Sequence, residues 1–220
     1  MPPLIVPAMI SQSQGELDGM LERLKGEAER IMLDVMDGVF VQSRSLDFDF
    51  ELPEGFEYEV HMMAIDPIER IQAIAKKVDI AILHVETLQD IETSIEQIRK
   101  LGLKLTLALS PETGVDVIEP YIDELDGVLV MTVTPGKYGS VFLPENLEKV
   151  RRIRELDAYM PIEVDGGMNP ENALLALEAG ADVIVSGSYI LRSNDVKRAI
   201  LELTHVDEAS NRRSSEKSNN

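Results

Sequence analysis

Short apolar runs alternate along this chain with segments whose apolar residues recur every three or four positions. The runs are Leu4–Met9, Arg30–Met36, Tyr58–Met63, Val78–Val85, Leu103–Leu109, Gly127–Val133, Pro161–Val164 and Asp182–Ser186. Several are continuously apolar, such as Val128–Val130 and Val183–Val185. A parallel sheet covered on both faces requires that pattern. Between the runs, the spacing predicts helices at about Gln14–Gly26, Asp66–Lys77, Leu88–Leu101, Val115–Ile122, Pro144–Leu156, Pro170–Ala179 and Asp195–Leu203. Asn169-Pro170 reads as an N-cap followed by proline at the first helical position. Eight strands alternating with helices predict an α/β fold, a single-domain (β/α)8 TIM barrel. The rival is an open doubly wound sheet. Its Gly-rich dinucleotide fingerprint is missing from the first strand–helix junction, Met9–Gly15.

One gap breaks the alternation. Asp37–Glu57 shows little helical period, and Leu46–Leu52 alternates like a short strand or extended loop, so the second helix is expected to be shortened or absent. The barrel is expected over residues 1–206. Residues 207–220, polar and poor in apolar side chains, read as a disordered tail.

With no cysteine, thiolate metal sites, disulfides and cysteine nucleophiles are excluded. No apolar stretch is long enough to span a membrane, and Met1–Val6 lacks the basic region of a signal peptide, so a cytoplasmic location is expected. The net charge of −19 makes nucleic acid and anionic membranes poor partners. A small anion remains admissible, because backbone N–H groups hold phosphate locally. A homo-oligomer is compatible with this type of barrel, and nothing in the sequence marks an interface.

In such a barrel the reacting groups stand at the C-terminal ends of the strands. Those ends carry Asp34 and Asp37-Gly38, His61, His84 and Glu86, Thr132–Gly136, Asp165-Gly166-Gly167, and Ser186-Gly187-Ser188. Glycine lets backbone approach a ligand, and the phosphate site common to this fold follows the seventh and eighth strands, so the Gly-rich ends there favour phosphate. Asp34 and Asp165 lie on opposite sides of the barrel mouth. Two opposed carboxylates can remove a proton from one face of a carbon and return one to the other, which is epimerisation. Asp34, His61 and Asp165 together can also hold a divalent metal that polarises a carbonyl. For His84 and Glu86 the reading favours a structural or supporting role, and His205 reads as a helix-end residue. Met36, Met63 and Met131 read as core filler or as the apolar wall of a reaction pocket.

The segments Asp34–Val41 (DVMDGVFV), Val60–Met63 (VHMM), His84-Val85-Glu86, Val130–Gly136 (VMTVTPG), Val164–Gly167 (VDGG) and Gly187-Ser188 resemble the ribulose-phosphate 3-epimerase family, in the family's order, over about Pro7 to Leu203. The resemblance implies a metal-dependent barrel that interconverts ribulose 5-phosphate and xylulose 5-phosphate through an enediolate, a step of pentose phosphate metabolism. It implies that Asp34 and Asp165 are the acid/base pair and metal ligands, with His61 a third ligand and substrate contact. The expected metal is Zn, Fe or Mn. Gly139, Gly166, Gly167, Gly187 and Ser188 would hold the phosphate, and Met36, Met63 and Met131 would wall the enediolate. The chain departs from the pattern at the sugar and metal end. Met32 stands where the family usually has a histidine ligand, Ala8 where it has serine, Val39 for histidine, Gln42-Ser43 for Pro-Asn and Thr134 for asparagine. Thioether is a poor ligand for such cations, which leaves three donors. The loop that in the family usually reads Gly-Phe-Gly-Gly-Gln is Gly136-Lys137-Tyr138-Gly139-Ser140 here, and its Lys137 is a candidate cation toward phosphate or enediolate, or a solvated side chain. The alternatives are an isomerase or epimerase of another phosphorylated ketose with altered metal dependence, or a non-catalytic sugar-phosphate-binding barrel. Decarboxylase and aldolase cousins rank low because Asp34-Val35-Met36 lacks their lysine.

Overall fold

The computed structural model describes residues 2–136 and 139–206. Lys137 and the expected tail at 207–220 lie outside them. Eight parallel strands form the barrel: Leu4–Met9, Arg30–Asp37, Glu57–Met63, Ile80–His84, Lys104–Leu109, Gly127–Met131, Ile162–Asp165 and Val183–Ser186. Each pairs with its sequence neighbour, and the first strand pairs with both the second and the last, which closes the sheet. No helix of the described residues is long and apolar enough to cross a membrane.

The two faces of each strand do different work. Outward residues such as Leu33, Val60, Leu107 and Ile184 join the helix side chains in one large core. Inward residues, among them Val6, Met32, Ile82 and Leu129, form a separate core inside the barrel. Along the second strand Arg30, Met32, Asp34 and Met36 alternate inward at successive levels. An ionic level, an apolar level and the chemistry-bearing level are thus stacked from bottom to top.

Between the second and third strands there is no helix. A two-residue strand, Arg44–Ser45, runs antiparallel to Met36–Asp37. The following segment is an irregular loop that buries Leu46 and Phe50 and packs Phe48 and Leu52 against the core. The Lys77 amine pins it, donating to the Phe50 carbonyl at 2.7 Å and to Asp49 at 2.7 Å. The loop therefore supplies the apolar cover that a helix gives elsewhere.

Val115–Ile122 is not an α-helix. It forms two 3-10 turns, Val115–Val117 and Glu119–Glu124. Pro120 has no N–H to give to the Asp116 carbonyl, so the α-helical ladder breaks there. The helix expected at Pro144 likewise starts as a 3-10 turn and becomes α-helical only over Leu147–Leu156. A four-residue helix, Ser188–Leu191, follows the last strand and had no signature in the periodicity.

Candidate active site

A pit of about 50 Å³ opens at the C-terminal ends of the strands. Asp34, Met36, Met63, Met131, Gly139, Asp165, Gly166, Gly167, Gly187 and Ser188 all line it. Ten of the residues singled out from the sequence are thus brought to one place. A wider depression of about 800 Å³ continues outward past Pro135, Gly136, Gly139 and Ser140 to Phe40 and Ser110. His61 does not line the pit. It is completely buried behind it.

The second and third strands pair Asp34 with His61 and Met36 with Met63, so the register alone sets these side chains side by side. His61 Nδ1 lies 3.2 Å from Asp34 Oδ1 and 3.8 Å from Asp165 Oδ2. One donor atom from each of the three residues lies within 4.8 Å of the others. Burial raises Asp34 from 3.8 to about 7, against a smaller opposing effect of His84. Burial, and then the nearby Asp34, likewise raise Asp165 to about 7. Burial lowers His61 to about 4, although Asp165 pulls the other way. The buried Asp34 carboxyl, the partly exposed Asp165 carboxyl and an unprotonated imidazole face one another, and a cation or proton between them removes the repulsion. Oxygen and nitrogen donors of this kind suit a zinc, iron or manganese ion, so the residues present fit a divalent metal.

Asp165 is held through its backbone. Its carbonyl accepts from Thr132 N at 2.8 Å and Thr132 Oγ1 at 3.0 Å. The Gly166 carbonyl accepts from the same hydroxyl at 2.8 Å. Gly166 has φ +122, and a Cβ there would lie 2.6 Å from the Val133 side chain and 2.9 Å from its backbone nitrogen. Gly166→Ala is therefore expected to destabilise the fold by about 2–3 kcal/mol, combining backbone strain and overlap. Urea unfolding measures this, and a change under about 0.5 kcal/mol would show that the turn is not strained.

Asp37 serves the loop beyond the second strand. Its carboxylate accepts from the amides of Val39 at 2.7 Å, Phe40 at 2.9 Å and Ile65 at 2.8 Å. Burial works against its charge, but those amides prevail and hold it below the usual carboxylate range. It ties two loops of the mouth together and does not line the pit.

His84 and Glu86 take the supporting place that the sequence suggested for them. His84 Nε2 touches His61 Nε2 at 2.9 Å, and Glu86 Oε2 lies 3.2 Å from His84 Nδ1. The signal was available: a histidine at a strand end with a carboxylate two residues on. Ala8, Ile10 and Val185 also line the pit; Ala8 stood out only as a departure from the family's serine, and Ile10 and Val185, being ordinary apolar residues, gave no signal. His205, as read, caps the last helix, its Nδ1 lying 3.0 Å from the Leu201 carbonyl.

The model of the Ribulose-phosphate 3 epimerase family matches residues 4–191. Ribulose-phosphate 3-epimerase of Bacillus subtilis is 35% identical, over 90% of this chain and 97% of its own length. Its namesake from Methanocaldococcus jannaschii is 36% identical, over 78% of this chain and 76% of its own length. Among solved structures, 3-hexulose-6-phosphate synthase from Salmonella typhimurium superposes with a TM-score of 0.66 at 15% identity, over 94% of this chain and 98% of that one. That likeness is one of fold.

Proposed function

The chain belongs to the ribulose-phosphate 3-epimerase family, and we propose that it interconverts ribulose 5-phosphate and xylulose 5-phosphate by moving a proton at C3. The observation that carries this reading is the facing pair Asp34 and Asp165, both raised to about 7 at the floor of one pit.

Near neutral pH such a pair shares its protons, so one member is a carboxylate and the other an acid. The carboxylate takes the C3 proton from one face of the substrate. The electron pair left behind passes into the adjacent carbonyl, giving an enediolate. The acid then delivers its proton to C3 from the opposite face. The two side chains exchange roles with direction, and no net proton is consumed. General acid–base groups are most effective with pKa values near the working pH, which is where burial brings these two.

Asp34, His61 and Asp165 would hold a divalent cation. When bound, it supplies polarisation of the substrate oxygen next to C3, which acidifies that C–H. Met36, Met63 and Met131 are buried around the pit and present an apolar wall that keeps water from the enediolate. Gly139, Gly166, Gly167, Gly187 and Ser188 would take the phosphate, in keeping with where this fold commonly binds it.

Incubating the chain with ribulose 5-phosphate and Zn²⁺, Mn²⁺ or Fe²⁺, and following the sugar by ¹³C NMR, tests the assignment. Xylulose 5-phosphate is expected. Its absence with every metal from a folded, phosphate-binding chain would move the activity to another phosphorylated ketose or to binding alone.

Met32 tests the orientation of the second strand. It is completely buried inside the barrel, one inward position before Asp34. Met32→His adds an imidazole toward the same centre and is expected to tighten Zn²⁺ binding by at least about tenfold, ~1.4 kcal/mol. Calorimetric titration measures it, and an unchanged affinity would mean that position 32 does not reach the cation.

A further inference from the structure

Behind the pit, four side chains line up from the surface of the fourth strand's end inward: Glu86, His84, His61 and then Asp34. Glu86 Oε1 accepts from Ser110 N at 2.9 Å and from the Thr113 hydroxyl. Its other oxygen faces His84 Nδ1 at 3.2 Å. A carboxylate surrounded by donors is ionised and accepts only, so His84 Nδ1 carries the proton. Ser110 Oγ, also 3.2 Å from Nδ1, is a second acceptor for that same N–H.

The consequence passes to the next ring. His84 and His61 are both completely buried, so each is held neutral. A neutral His84 protonated at Nδ1 has a bare Nε2. The two rings are only 23° from parallel planes, with centroids 5.0 Å apart and Nε2 atoms 2.9 Å apart, so they meet edge to edge. One proton must lie between those nitrogens, and His61 has to supply it. His61 Nδ1 is then bare, and it is the atom that faces Asp34 and Asp165.

We propose that Glu86 and His84 are positioning residues that fix His61 as the Nε2–H tautomer, with its Nδ1 lone pair turned to the two aspartates. The proposal rests on the reading of Asp34, His61 and Asp165 as a cation site and explains how that site keeps its nitrogen donor ready. Phe40, whose ring centroid is 4.8 Å from that of His84, covers the relay on the side of the mouth. Partners that orient a ligating imidazole through its second nitrogen typically contribute 10–100-fold to metal affinity.

Glu86→Gln inverts the chain of hydrogen bonds. The amide has one oxygen, which the Ser110 N–H occupies, and its NH₂ then points at His84 Nδ1. His84 becomes protonated at Nε2, and His61 is driven to the Nδ1–H form, which cannot ligate. Two-bond ¹H–¹⁵N correlation spectra of the metal-free, ¹⁵N-histidine-labelled chain read the tautomers directly. In the unsubstituted chain His61 is expected to show a protonated Nε2 and a bare Nδ1, and Glu86→Gln to exchange them. Titration with Zn²⁺ alone should show affinity lower by about 10–100-fold in Glu86→Gln.

A proton on His61 Nδ1 in the unsubstituted chain, including the doubly protonated ring, would overturn the proposal. So would a folded Glu86→Gln chain with unchanged tautomers and Zn²⁺ affinity. If the variant does not fold, the spectrum of the unsubstituted chain decides alone. Both readouts are independent of turnover, so a chain without epimerase activity leaves this test intact.

Discussion

Asp165→Asn is expected to lower the interconversion of ribulose 5-phosphate by about 10⁴-fold, the upper range for a positioned acid or base. It should also make the metal-free chain more stable at pH 8. The two effects have one cause. Burial and the neighbouring Asp34 lift Asp165 from 3.8 to about 7. A carboxyl whose folded-state pKa is raised contributes stability that is full below its ordinary value and lost as pH rises through about 7. At pH 8 both aspartates are ionised against each other, whereas asparagine carries no charge at any pH. A move from 3.8 to about 7 corresponds to about 4 kcal/mol, and relaxation around the partly open pit reduces the expected gain to ~1–3 kcal/mol. Thermal melts in chelator should therefore show the variant ahead at pH 8 and the gap closing toward pH 5. Adding Mn²⁺ should reverse the order, because only the unsubstituted chain keeps both carboxylates. Loss of turnover without gain at pH 8 would mean that the two aspartates do not repel in the fold.

Arg30→Leu is expected to destabilise the fold by about 3–5 kcal/mol, as removal of one partner from a buried ion cluster does. Arg30 stands at the lower end of the barrel, 2.7 Å from Glu57, 3.3 Å from Glu59 and 3.6 Å from Glu163. Glu59 and Glu163 are both buried, and each keeps one carboxyl oxygen without a hydrogen-bond partner. Burial and mutual proximity push Glu59 well above the usual range, and burial pushes Glu163 to about 7. The pair is thus arranged to share one proton under the guanidinium. Without Arg30, neither carboxyl has a compensating charge. Glu59→Gln alone should raise stability at pH 7, because the buried carboxyl must take up a proton on folding whereas the amide is neutral in both states, and in the Arg30→Leu background it should restore part of the loss. Urea unfolding at pH 7 measures all three chains. A loss under 1 kcal/mol in Arg30→Leu would mean that the cluster relaxes into water.

The apolar runs predicted every barrel strand, and their limits differ in an instructive way. Leu4–Met9 and Pro170–Ala179 are bounded by strong signals and begin and end where the pattern says. The fourth strand is shorter than the run Val78–Val85, because Val78 and Val85 are buried without joining the ladder. Val133 likewise packs inside the barrel beyond the paired part of the sixth strand. Hydrophobicity reports burial, and burial outlasts the backbone hydrogen bonds at both ends. The absent second helix was legible because Asp37–Glu57 lacks a period. Its substitute was not, since the short antiparallel pairing of Arg44–Ser45 depends on contacts across the fold.

The site was legible residue by residue at the strand ends. Its depth was not. Nothing in the sequence says that His61 lies wholly beneath the pit floor, or that His84 reaches its far nitrogen. Those facts follow from strand stagger, which sets which inward residues share a level. The charged residues at Arg30, Glu59 and Glu163 were equally visible as polar interruptions in apolar runs, and only closure of the barrel brings them together.

The central claim is that Asp34 and Asp165 exchange a proton at C3 from opposite faces. The direct measurement is deuterium incorporation from ²H₂O into ribulose 5-phosphate and its product, followed by NMR with Zn²⁺, Mn²⁺ or Fe²⁺ present. The account predicts xylulose 5-phosphate labelled at C3 and nowhere else, with label falling in parallel with turnover in Asp34→Asn and Asp165→Asn. Label at another carbon, or label at C3 that survives both substitutions, would contradict it.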